Sequence, residues 1–107
     1  MNLELKASQF KALGHPARLR IVNLLKQHDS LCVCEIMRVL EFGQSFVSRH
    51  LAILREAELV SAEKNGTWAH YRLQPSAAKL LESAQLEQVP CLQSDLALLN
   101  KTDCQAC

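Results

Sequence analysis

Aromatic side chains make up only 5% of this 107-residue sequence, and glycine and proline occur three times each. That scarcity argues against a β-sandwich, which needs frequent turns and bulky strand formers. Net charge is equally scant. At +1 the chain has no global basic field of the kind many nucleic-acid binders carry. Long apolar runs are missing too, since stretches such as Ile21 to Leu25, with Asn23 inside, fall far short of the roughly 18 to 20 residues that cross a bilayer. The start, Met1-Asn2-Leu3-Glu4-Leu5-Lys6, is not a basic segment leading into an apolar core, so no signal peptide, no membrane and a cytoplasmic location are expected. No catalytic triad, phosphate-binding glycine loop or paired carboxylate site stands out, and an enzyme is not expected.

What is abundant is apolar and helix-forming. Hydrophobic residues reach 49%, and the length suits one mainly α-helical domain spanning residues 1–107. Five cysteines, an odd number in a chain expected to stay in the cytosol, point to metal or redox chemistry rather than a disulfide framework.

Leu3, Ala7, Phe10 and Leu13 recur at helical spacing up to Gly14, and Pro16 suits the first turn of a second helix carrying Leu19, Val22, Leu24 and Leu25. A third, short helix begins near Cys32, with Ile36, Val39 and Leu40 on one face. A fourth runs from Gln44 to about Glu58, with Val47, Leu51 and Leu54 in phase. Two helices joined by Glu41-Phe42-Gly43 predict a helix-turn-helix. Asn65-Gly66, between Val60–Lys64 and Thr67–Leu73, then predicts a tight β-hairpin, because both residues tolerate positive φ. A last helical region follows Pro75, with Ala77, Leu80, Leu81 and Ala84 in phase, and is interrupted at Pro90 before Leu96 and Leu99.

Helix pair plus hairpin is the winged helix-turn-helix arrangement, in which the second helix of the pair enters the major groove and the hairpin touches the backbone or minor groove. The candidate DNA contacts are Gln44, Ser45, Ser48, Arg49 and His50 on the fourth helix, and Lys64, Thr67 and Arg72 on the hairpin. Local charge adds little, because between Gln44 and Arg72 four cations stand against three carboxylates. The ordered combination of elements carries the expectation.

Cys32 and Cys34 are the candidate sensing residues. Mid-helix, residues two apart point about 200° away from each other. At a helix start they can converge: with Cys32 as N-cap and Glu35 as third helical residue, Glu35 reaches back as in a capping box, and the helix dipole favours thiolates. Candidate third ligands are Cys91, Cys104 and Cys107. Zinc is disfavoured, because His15, His28, His50 and His70 are scattered.

Four blocks, Lys11 to Ile21, Leu31 to Ile36, Gln44 to Leu51 and Asn65 to Leu73, make residues 10–75 resemble the ArsR/SmtB family of winged-helix metalloregulatory repressors, in its arsenical-resistance branch. The resemblance implies a homodimer, formed by helices near 3–14 and 76–99, that binds an imperfect operator palindrome in double-stranded DNA. It also implies release when As(III) or Sb(III) binds cysteine thiolates, with residues 100–107 as a cysteine-containing tail. Glu58 stands where the family usually has glycine, and Met37 where a third cysteine often completes the arsenical site. The rival expectation is a redox- or polysulfide-sensing repressor of the same fold, in which Cys32 or Cys34 forms a bridge to a tail cysteine. A thiol oxidoreductase built on Cys104-x-x-Cys107 has no βαβ setting to support it, and a metalloid buffer leaves the helix pair and hairpin unexplained.

Overall fold

Asn2 opens the first helix, its side-chain oxygen accepting from the N–H groups of Glu4 at 2.8 Å and Leu5 at 3.2 Å. The computed structural model describes residues 2–65 and 68–101, so Gly66, Thr67, Cys104 and Cys107 lie outside the described residues. Helix α1 (Leu3–Leu13) is followed by α2 (Pro16–Gln27), which has proline in its first turn and His15 as N-cap, Nδ1 accepting from Ala17 N–H at 3.0 Å. Strand β1 (Leu31–Cys32) leads into α3 (Val33–Leu40), and α4 (Gln44–Glu56) follows the turn Glu41–Gly43. The hairpin is β2 (Val60–Asn65) and β3 (Trp68–Leu73). Helix α5 (Pro75–Leu81), two 3₁₀ turns (Glu82–Ala84, Leu86–Gln88) and α6 (Pro90–Lys101) complete the order.

The expected helices and hairpin are therefore present, with three differences. Helix α4 ends at Glu56, two residues early, because Glu58 turns left-handed at φ 59°. The Leu59 N–H then reaches Leu54 O, and the Glu58 N–H reaches Arg55 O, both at 3.0 Å, the double bond of a Schellman cap. Leu54 and Leu59, both fully buried, form the apolar contact that accompanies it. Second, Asn65 belongs to the strand and pairs with Trp68, one step beyond the expected strand end. Third, β1 is a strand that no periodicity announced. It pairs antiparallel with β3 through Leu31↔Tyr71 and Cys32↔His70, giving sheet order β1-β3-β2.

The core gathers Ile21, Val22, Leu24 and Leu25 of α2, Ile36, Val39 and Leu40 of α3, and Val47, Leu51 and Leu54 of α4, closed by Ala77, Leu81, Leu92 and Leu99. Helix α1 behaves differently. Of its apolar stripe only Leu13 is buried, while Leu3 is 83% and Phe10 60% exposed; the helix docks instead through Gln9, Ala12 and Leu13. No described helix is long and apolar enough to cross a membrane.

Candidate nucleic-acid interface and thiol pair

With Val47, Leu51 and Leu54 fully buried, α4 turns Gln44, Ser45, Ser48, Arg49 and Ala52 to the solvent. Residues 45, 48, 49 and 52 share one helical face. Small and hydroxyl side chains let that face approach base edges closely, and Arg49 supplies one fork of donors. Its guanidinium lies 5.8 Å from the centre of the Phe46 ring, which braces it.

His50, expected among the DNA contacts, faces the other way. It is 6% exposed, its ring 4.6 Å from His15 and 4.4 Å from Phe46, and its Nδ1 accepts from Arg18 Nη1 at 3.0 Å. Arginine can only donate, so the His50 proton sits on Nε2. Burial pushes the His50 pKa down, and the charges of His15, Arg18 and Arg49 push it further. Its place on the Val47-His50-Leu51-Leu54 stripe was the available signal, since residues three and four apart share a face.

The hairpin register separates the two cations expected there. Lys64 pairs with Ala69, on the sheet face that also carries Tyr71; Arg72 pairs with Ser61, on the face of Glu63 and His70. Both cations are exposed. Ala69 and Tyr71 line a cavity of about 400 Å³ together with Gln44 and Ser48 of α4 and Cys34 and Met37 of α3. Lys64 therefore shares its side of the hairpin with the α4 face, and Arg72 does not.

At the mouth of α3 the two cysteines converge. Cys32 is the N-cap, extended at φ −84° and ψ 160°, and so departs from the helical progression that would turn it away from Cys34. The two Sγ atoms stand 2.8 Å apart, and Cys34 is in the disulfide form in this structure. Glu35 Oε1 accepts the Cys32 N–H at 3.1 Å, as the capping-box spacing predicted. Cys32 is buried and anchored to the hairpin through β1, while Cys34 lines the cavity below α4. Cys91, on α6, is exposed. Among the described residues no three His, Cys, Asp or Glu side chains gather as a metal would require, so Cys91 does not join the pair in a three-ligand cluster. Sequence order held no hint that the rings of His15 and His50, thirty-five positions apart, would meet, tilted at 44°.

Residues 15–62 match the family model described as "Bacterial regulatory protein, arsR family". The chain is 40% identical to the arsenical resistance operon repressor of Escherichia coli K12, covering 94% of this chain and 92% of that one. It is also 40% identical to the repressor of the same name from Bacillus subtilis 168, covering 73% and 74%. Among solved structures, the transcriptional repressor PagR of Bacillus anthracis superposes with TM-score 0.70 at 32% identity, over 78% of this chain and 95% of that one. HlyU from Vibrio cholerae superposes with TM-score 0.73 at 28% identity, over 82% and 98%. Identity of this extent over nearly the whole length, with superposition on solved relatives, is decisive: the chain belongs to the ArsR family of winged-helix transcriptional regulators, and it is a DNA-binding repressor fold, not an enzyme.

Proposed function

We propose that this chain represses an arsenical-resistance operon, binding a palindromic operator as a homodimer in the cytoplasm and letting go when As(III) or Sb(III) binds Cys32 and Cys34. The observation that carries this reading is the convergence of the two sulfurs at the start of α3, with Cys34 lining the same cavity as Gln44 and Ser48 of the DNA-reading helix. In its reduced form the donor set suits a trivalent metalloid, because soft ions prefer thiolate sulfur. Each As–S bond forms as an As–OH bond breaks, and the thiol proton leaves with the hydroxide as water. Two of arsenic's three positions are met by this pair. The third falls to Cys104 or Cys107, or to a retained hydroxide.

Gln44, Ser45, Ser48 and Arg49 read the major groove, and Lys64 and Thr67 hold the backbone beside it. Arg72 serves only DNA that wraps past the far face of the hairpin. Seating one metalloid on both sulfurs spreads them beyond their 2.8 Å separation and reshapes the first turn of α3, and that turn is shared with α4 through the cavity and with β3 through the Cys32↔His70 pair. The bound conformer holds DNA less well, a coupling worth about 1 to 3 kcal/mol.

Fluorescence anisotropy on the DNA upstream of the native gene tests this. Arsenite should weaken wild-type binding by about tenfold or more, while Cys34→Ser binds DNA normally and ignores arsenite. A Cys34→Ser protein that releases DNA like wild type would overturn the assignment. A parallel titration with peroxide separates the metalloid reading from a thiol-oxidation switch.

A further inference from the structure

Arg20 lies on α2, outside both the DNA-reading face and the cysteine pair, yet it touches both α6 and the turn between α3 and α4. Its Nε and Nη2 donate to the two Asp95 oxygens at 2.9 Å each, a bidentate pair with α6. The same guanidinium lies 5.2 Å from the centre of the Phe42 ring, in the turn between α3 and α4. Phe42 packs edge-on against Phe46 at 4.8 Å, and Phe46 against His50 at 4.4 Å, so the contact runs into the middle of α4. Asp95 is 5% exposed, which makes it a fixed anchor and not a surface partner.

We infer that Arg20 is a positioning residue for DNA reading: held by Asp95 on α6, its guanidinium sets Phe42 and through it the entry angle of α4. The inference rests on the reading of α4 as the DNA-contacting helix. At the turn itself the N-cap Gly43 makes no side-chain cap bond and Glu41 is left-handed at φ 58°, so the entry of α4 is set by packing, by buried Val47 and Leu51 on one side and by Arg20 on Phe42 on the other. A planar cation held in two places at once ties the seating of α6 to the helix pair. Lysine, a point charge on a flexible stem, would keep the ion pair and lose the fork and the stack.

Two measurements decide it. In anisotropy on the upstream DNA, Phe42→Leu and Asp95→Asn should each weaken binding by about three- to tenfold, and the double variant by clearly less than the product. A fully multiplicative double variant, or singles that bind like wild type, would overturn the inference. The charge-swapped Arg20→Asp/Asp95→Arg protein rebuilds the ion pair without a guanidinium over Phe42. It should recover the thermal midpoint but not the DNA affinity; recovery of both reduces the pair to a clamp and overturns the inference. Without DNA, amide hydrogen exchange across residues 41–47 should quicken in Asp95→Asn, and unchanged exchange overturns it as well. A wild-type protein that binds no upstream DNA would sink the proposed function while the exchange experiment still judges Arg20.

Discussion

Glu58 carries a side chain in a conformation that suits glycine. At φ 59° its Cβ crowds the following carbonyl, a cost of about 1 to 2 kcal/mol for an L-residue, against which glycine's extra unfolded freedom sets about 0.5 to 1 kcal/mol. Glu58→Gly should therefore stabilise the fold by about 0.5 to 1 kcal/mol, raising the thermal midpoint by a few degrees. The variant keeps both backbone bonds of the cap, so DNA affinity should not change; a lower midpoint in calorimetry would refute the strain argument. His50 makes a second prediction at this scale. Its folded pKa is pushed down by burial first and by neighbouring cations second, so the unfolded chain binds more protons below the ordinary histidine pKa of about 6.5. The neutral-form contribution is complete above that value and is lost as the pH falls below it. Thermal midpoints should drop on acidification from pH 7.5 to 5.5 more steeply in wild type than in His50→Asn, which keeps an acceptor for Arg18 but does not titrate. Equal slopes would show that the buried ring is not responsible.

Among the elements, those with several turns were legible and those held by a few pairings were not. Three and four residue spacings marked α2, α3 and α4, because each must bury a stripe, and Asn65-Gly66 marked the hairpin. Two residues cannot display a period, so β1 was invisible, although it is what fastens Cys32 to the hairpin. The same limit applied to faces. The sequence names Lys64 and Arg72 as equals, and only the β2–β3 register puts them on opposite sides. The thiol pair was legible for a local reason, an N-cap cysteine with glutamate three residues on, while Cys91 as third ligand was a question of tertiary distance. The register yields a prediction. Lys64→Ala should lower the slope of log affinity against log salt by about one unit, as loss of one phosphate contact does. Arg72→Ala should lower it less, and equal effects in anisotropy across a salt series would show that DNA reaches both faces. Removing the cap is the complementary test. Glu35→Ala frees the Cys32 N–H and should cost about 0.5 to 2 kcal/mol in denaturant unfolding. Arsenite affinity should fall with it, because the first turn no longer holds the sulfurs together; an unchanged affinity would mean the pair assembles without its cap.

At the scale of the whole molecule, the outward stripe of α1 is where the proposed homodimer is put to the test. Leu3 and Phe10 are far more exposed than large apolar side chains in a monomer need be. An operator palindrome calls for two copies related by a two-fold axis, and in such an interface each residue is counted twice. Burying one phenylalanine is worth about 1.5 to 3 kcal/mol, so Phe10 would contribute about 3 to 6 kcal/mol to a symmetric dimer, or two to four orders of magnitude in its dissociation constant. Phe10→Glu reverses that contribution and sets two carboxylates against each other. Sedimentation should then find a monomer at micromolar concentration, with operator binding lost. The core contacts of α1 run through Gln9, Ala12 and Leu13 and leave Phe10 exposed, so far-UV helicity should persist and the two cysteines should still take up arsenite. A Phe10→Glu protein that remains dimeric and binds DNA would place the two-fold axis elsewhere and leave this stripe for another partner.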